Sequence, residues 1–192
     1  MSRRSFLKTG TAAAISLSVA PTSVLGKAPK KKTVAPSDKL NIIGVGIGGR
    51  GASDLKAMES QNIIGLCDTD WAYAKHIFER YPDAKRYNDY RVCFDEMLKD
   101  ADAVMCATSD HTHAIVCADA LTAGKHVYCE KPLTHTVYES RLLTKLAAKY
   151  QVATQMGNQG ASAEGVRKTC SWIWNGEIGE VTKVEAFTDR PI

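Results

Sequence analysis

The chain has 192 residues, 44% hydrophobic and 24% charged, enough to bury one substantial core, and a formal net charge of +4. That positive charge is local: seven of the 25 basic residues fall between Arg3 and Lys32, and no acidic residue precedes Asp38. The remainder carries 18 basic against 21 acidic side chains, which excludes a basic stripe for nucleic acid.

In chain order, Ser2-Arg3-Arg4-Ser5-Phe6-Leu7-Lys8 leads into an apolar stretch, Thr9 to Ala20, too short to span a bilayer. Small residues follow up to Gly26 and Ala28. This pattern predicts a twin-arginine signal peptide over residues 1–28, hence the twin-arginine export machinery as a partner and a periplasmic or otherwise exported location. No nearby cysteine suggests a lipid anchor, so no stable membrane anchor is expected. Residues 29–38, with Pro29, Pro36 and three consecutive lysines, read as a flexible linker.

From Lys39 onward, apolar runs alternate with helical patterns: Leu40 to Val45, Ile63 to Cys67, Ala103 to Ala107, His126 to Cys129 and Val152 to Gln155. The rhythm predicts an α/β fold, a doubly wound parallel sheet over residues 39–178. Thr136-Val-Tyr-Glu139 is a capping box opening a helix to Tyr150; Asp110 is the expected N-cap of a helix that Gly124 ends. Past the turn at Gly176 to Glu180, Val181 to Phe187 alternates apolar and polar residues, predicting the first strand of a second α/β domain over residues 179–192. Trp172 and Trp174, two apart on a helix, do not share a face, and core packing is expected over sugar stacking.

Gly44-Val-Gly-Ile-Gly-Gly-Arg-Gly51 satisfies the dinucleotide fingerprint in two registers. The register Gly46, Gly48, Gly51 is preferred, because it leaves an uninterrupted strand before the turn and starts the helix near Gly51, where amide groups can hold a pyrophosphate. Asp68, 22 residues after Gly46, ends the next strand at the distance expected of an acid for the adenosine ribose hydroxyls. This points to NAD over NADP, since a carboxylate repels a 2′-phosphate; Arg50 is a nearby cation that keeps NADP possible. The alternative for Asp68 is an N-cap on the following helix, a role open to Asp70 as well.

Glu130-Lys131-Pro132 closes an apolar run, so Lys131 stands at the carboxyl end of a strand, where doubly wound sheets bind ligands. The six cysteines show no CxxC spacing and read as small core residues. His111 and His113, two apart, point in different directions on a helix, and no metal site is expected.

Taken together, GIGGRG, the strand-end LCD, ATSDHTHA, ALTAGKHVYCEKPL and IGEV before a new strand resemble the glucose-fructose oxidoreductase, inositol dehydrogenase and MocA family over Lys39 to Ile192. The resemblance implies a Rossmann domain binding NAD or NADP, followed by an α/β domain that supplies substrate contacts and a homo-oligomer interface. It implies that Gly46, Gly48 and Gly51 hold the pyrophosphate and Asp68 the adenosine ribose. Thr108, Ser109, Asp110 and His113 match the cofactor loop after the fourth strand, although relatives commonly read T-P-N-x-x-H there. Glu130 and Lys131 match the EKP signature, with Lys131 as the catalytic residue beside nicotinamide and substrate. Asn158 and Gln159, in Gln155-Met-Gly-Asn-Gln-Gly160, offer hydrogen bonds suited to the hydroxyls of a sugar or polyol. A partner histidine would come from the second domain, beyond Ile192, so this chain is expected to bind dinucleotide and turn over little. The functions implied are an exported NAD(P)-dependent oxidoreductase acting by hydride transfer, an NAD-dependent glycosidase, or a non-catalytic nucleotide-binding fragment.

Overall fold

A computed structural model describes residues 38–188. The signal and linker expectations for residues 1–37 lie outside them. Strands and helices alternate: β1 (Asn41–Val45), α1 (Arg50–Ala57), β2 (Asn62–Cys67), α2 (Trp71–Arg80), β3 (Lys85–Tyr87), α3 (Tyr90–Met97), β4 (Ala103–Cys106), α4 (His113–Thr122), β5 (His126–Glu130), α5 (Val137–Tyr150), β6 (Thr154–Gly157), α6 (Gln159–Ser162) and α7 (Glu164–Trp174). The six strands form one sheet, ordered β3-β2-β1-β4-β5-β6, and every pairing is parallel. This is the Rossmann arrangement, with helices on both faces.

The continuous apolar runs are explained by a sheet buried on both sides. Ile43, Val45, Val104 and Cys106 pack on one face with Val116 and Leu121 of α4, while Ile42, Leu66 and Met105 pack on the other with Leu55 of α1 and Phe78 of α2. Each large side chain so buried contributes roughly 1.5–3 kcal/mol. The direction of winding reverses between β1 and β4, which pair from Ile42 with Ala103 to Val45 with Cys106. At such a reversal, connections leave the two strands toward opposite faces and a crevice opens at their carboxyl ends.

Local signals act as expected at several ends. Thr136 and Glu139 form the reciprocal capping box of α5. Gly124, at φ +73°, closes α4, its amide bonding the Leu121 carbonyl while Lys125 bonds that of Ala120. Asp70 caps α2 by accepting from the Tyr73 amide.

Three expectations are corrected, and one strand is added. Asp110 is not the cap of α4: it lies in a 3-10 turn, Asp110–Thr112, and the cap position falls to Thr112, which makes no side-chain cap bond. Strand β3 was not anticipated, because Lys-Arg-Tyr is short and polar, as an edge strand with one neighbour can be. Residues 181–188 form no strand, no sheet ladder among the described residues includes them, and Phe187 is 95% exposed. A period-two pattern becomes a strand only where a ladder takes up its backbone groups. Trp172 and Trp174 are exposed on α7, which buries none of its residues, so they are not core. No helix among the described residues is long and apolar enough to cross a membrane.

Candidate functional site

The crevice at the β1–β4 reversal is a cleft of about 670 Å³. Its floor is the glycine turn, and its walls are the ends of β2 and β4 and the starts of α3 and α4. Gly46 sits at φ +78°, and a Cβ there would lie 2.6 Å from the Ala107 carbonyl and the Thr108 nitrogen. A Cβ on Gly51 would run into the Gly46 carbonyl, and one on Gly48 would meet the Tyr73 ring at 2.5 Å. The register Gly46, Gly48, Gly51 is therefore the one in which each glycine sits where a side chain has no room. Backbone this bare at the start of α1 is what a pyrophosphate needs.

Asp68 ends β2 and lines the cleft. Its Oδ2 accepts from the amides of Ile47 (2.8 Å) and Gly48 (2.9 Å), and its Oδ1 from that of Asp70 (3.0 Å). The carboxylate thus shapes the glycine turn as well as facing the cleft, and the helix cap it was weighed against belongs to Asp70. Thr108 and Ser109 also line the cleft, with the Thr112 hydroxyl donating to Thr108 Oγ1 at 2.8 Å. Asp110 is exposed and does not line the cleft.

His113 is placed differently from a cleft residue. It is 1% exposed, with Nδ1 2.6 Å from the Pro132 carbonyl and Nε2 3.0 Å from the Thr108 carbonyl. It joins the loop after β4 to the corner after β5. The side-chain Sγ atoms of Cys106 and Cys129 and a ring nitrogen of His113 lie within 4.8 Å of one another, a buried grouping the sequence did not suggest. Both His113 nitrogens already face carbonyl oxygens, so a metal there would displace one of those bonds.

Lys131 is exposed at the carboxyl end of β5, the end of the sheet that carries the glycine turn. Glu130, by contrast, is buried: it lies 3.5 Å from Arg50 Nε, accepts from the Tyr128 hydroxyl (3.3 Å), from Gln159 Nε2 and from the Lys131 amide (3.4 Å). Burial pushes Glu130 up, but the bonds from Gln159 and Lys131 outweigh it and hold the carboxyl below its ordinary value. Gln159 is committed to Tyr128 and Glu130, and Asn158, exposed beside it, makes no cap bond. Arg50 also reaches Asp54 at 3.0 Å.

Sequence reasoning missed the far wall of the cleft, Asn88, Asp89, Tyr90 and Arg91. Asp89 caps α3 and binds the Arg91 guanidinium at 3.0 and 2.6 Å, bonds that hold its carboxyl down to about 2. These residues follow the unanticipated β3; the Asn88-Asp89 turn before a helical pattern was the available signal.

The family described as "Oxidoreductase family, NAD-binding Rossmann fold" matches residues 39–158. Inositol 2-dehydrogenase of Salmonella typhimurium is 30% identical over 142 residues, covering 71% of this chain and 42% of that protein. A glycosyl hydrolase family 109 protein of Shewanella pealeana is 26% identical over 207 residues, covering 97% of this chain and 45% of that protein. The solved structure of scyllo-inositol dehydrogenase from Lactobacillus casei, with bound NAD(H) and scyllo-inositol, superposes with a TM-score of 0.65 at 22% identity, over 75% of this chain and 43% of that one. The chain spans less than half the length of these relatives. With its glycine turn, Asp68 and strand reversal assembled around one cleft, this chain belongs to that oxidoreductase family and carries its NAD-binding Rossmann domain.

Proposed function

We propose that the chain is the nucleotide-binding half of an exported NAD-dependent oxidoreductase that transfers hydride from a hydroxyl-bearing carbon of a sugar or polyol. The observation that carries this reading is the Gly46 cradle, which closes on Ala107 and Thr108 with Asp68 alongside. The amides of the turn and of the α1 N-terminus bind pyrophosphate, and Asp68 accepts from the ribose hydroxyls and disfavours a 2′-phosphate. Bound nicotinamide would supply the acceptor for the hydride and its electron pair. Lys131 donates to the substrate oxygen and steadies it as the carbonyl forms, while the hydroxyl proton leaves to water. Asn158 offers its amide to substrate hydroxyls. The arginine pair and apolar stretch before Ala28 support export through the twin-arginine route, which carries folded, cofactor-loaded proteins.

Titration of the purified chain with NAD and NADP, after stripping carried nucleotide by unfolding and refolding, tests this. Saturable NAD binding is expected, tighter than NADP, and weakened at least tenfold by Asp68→Ala in a folded sample. A folded wild type that binds neither nucleotide sinks the reading.

A second reading is an NAD-dependent glycosidase, favoured by the match to the family 109 glycosyl hydrolase over 97% of this chain. The same Rossmann half serves transient oxidation of one sugar carbon before elimination. Released aglycone without net NADH, measured on a full-length protein containing this chain, selects it; net NADH selects the dehydrogenase.

A further inference from the structure

Arg50 and Asp54 stand one turn apart on α1, just past the glycine turn, and Glu130 ends β5 beside Lys131. Asp54 is 4% exposed and Glu130 3%, and the two carboxyls converge on the single guanidinium of Arg50, which lies 3.0 Å from Asp54 Oδ1 and 3.5 Å from Glu130 Oε1. Asp54 Oδ2 is buried, and no N–H or O–H faces it. The other groups around the pair are the Tyr128 hydroxyl, the neutral Gln159 amide and the Lys131 backbone N–H, and all three are directed at Glu130.

The donors are therefore unevenly shared. Glu130 has enough to remain ionised. Asp54 has Arg50 on one oxygen and no donor on the other, and it shares that guanidinium with a second buried carboxyl. Two buried carboxylates cannot both ionise against one half-exposed cation without repulsion, and an acid–acid contact becomes a hydrogen bond only with a proton between the two groups. We propose that Asp54 and Glu130 share one proton, donated by Asp54 and accepted by Glu130. This bond latches the glycine-turn helix to the corner that carries Lys131, and makes Asp54 a positioning residue for that corner. Gly157 completes the enclosure: β6 pairs it with Glu130, and a Cβ there would overlap the Glu130 carboxyl.

Burial first, and then the Glu130 charge, raise Asp54 from 3.8 to about 6, against the opposing pull of Arg50. A carboxyl whose folded value lies above its unfolded one favours folding at low pH and loses that contribution as pH rises through the folded value. The Asp54 contribution is thus complete below about pH 4 and gone above about pH 6. Glu130, held low, contributes in the opposite sense, above its unfolded value only. The latch is closed at acid pH and strained above neutrality.

Carbon-13 NMR of the Asp54 and Glu130 carboxyls in the unaltered chain, without nucleotide and over pH 3–8, tests the shared proton directly. We expect one macroscopic step near 6 and another below the ordinary carboxylate range, each carbon sensing both steps; two independent titrations near 4 overturn the proposal. In Asp54→Asn an amide N–H replaces the shared proton, so its Tm should rise relative to wild type as pH increases from 4 to 7, and a pH-independent difference overturns it. The positioning role rests on the NAD-binding reading, and is read from NAD affinity at pH 5, where Asp54 still holds the proton. Asp54→Asn should keep it within twofold and Asp54→Leu should lose at least fivefold, whereas equal effects of the two variants refute positioning. Should the wild type bind no NAD, the functional reading fails while the carboxyl titration still decides the proton.

Discussion

The imidazole of His113 spans two loops, with its Nδ1 2.6 Å from the carbonyl oxygen of Pro132. Its other nitrogen faces the Thr108 carbonyl at 3.0 Å. Carbonyls only accept, so a ring N–H is the donor between them. His113 therefore ties the cleft-lining Thr108 to the Lys131-Pro132 corner from beneath the cleft. His113→Leu removes that ring donor from between the two carbonyls, at a cost of about 1–3 kcal/mol. Urea denaturation should show a loss in this range with an unchanged m-value, and NAD affinity should fall as the corner loosens. A variant as stable as wild type would remove His113 from this role.

Two glycines at nearly the same φ make an internal comparison. Gly46 (+78°) has backbone atoms 2.6 Å from its absent Cβ, and Gly124 (+73°) has nothing within 4 Å. Gly124→Ala meets only the left-handed backbone penalty, roughly 1–2 kcal/mol, and should leave nucleotide binding intact. Gly46→Ala must also displace the Ala107–Thr108 backbone, so calorimetric titration should show NAD affinity down at least a hundredfold. Equal effects of the two substitutions on binding would contradict the cradle.

All six cysteines are free, and only Cys170 is not buried. Burial pushes the Cys67 and Cys93 thiols up to about 12, where the reactive thiolate is scarce. A colorimetric thiol reagent at pH 8 should titrate one rapid equivalent in the native chain and six after denaturation. Cys170→Ser should abolish the rapid one. Two or more rapid native equivalents would show the core to be open.

Asp89 is held down to about 2 by its bonds to Arg91. A carboxyl with a depressed folded value contributes stability above its unfolded value and loses it as pH falls through the folded one. Asp89→Asn should therefore differ in Tm from wild type mainly above about pH 4, with the gap closing toward pH 2 in scanning calorimetry. A gap that persists unchanged at pH 2 would assign the effect to the helix cap alone.

What the sequence by itself determined were features written in local order. Strand runs from Leu40, Ile63, Ala103 and His126, the Thr136–Glu139 capping box and the glycine turn after β1 all depend on neighbours a few residues away, and periodicity and glycine spacing report those directly. The tertiary structure decided which polar residues face the cleft and which turn inward. His113 and Glu130 share motifs with cleft-facing neighbours, yet both are buried, because Pro132, Gln159 and Arg50 arrive from other elements to pair with them. Asp89 and Arg91 reach the cleft only because the edge strand β3 carries them there. Val181 to Phe187 shows the converse: an alternating pattern states which face is apolar, but a hydrogen-bonded ladder makes the strand, and no sheet ladder among the described residues includes it.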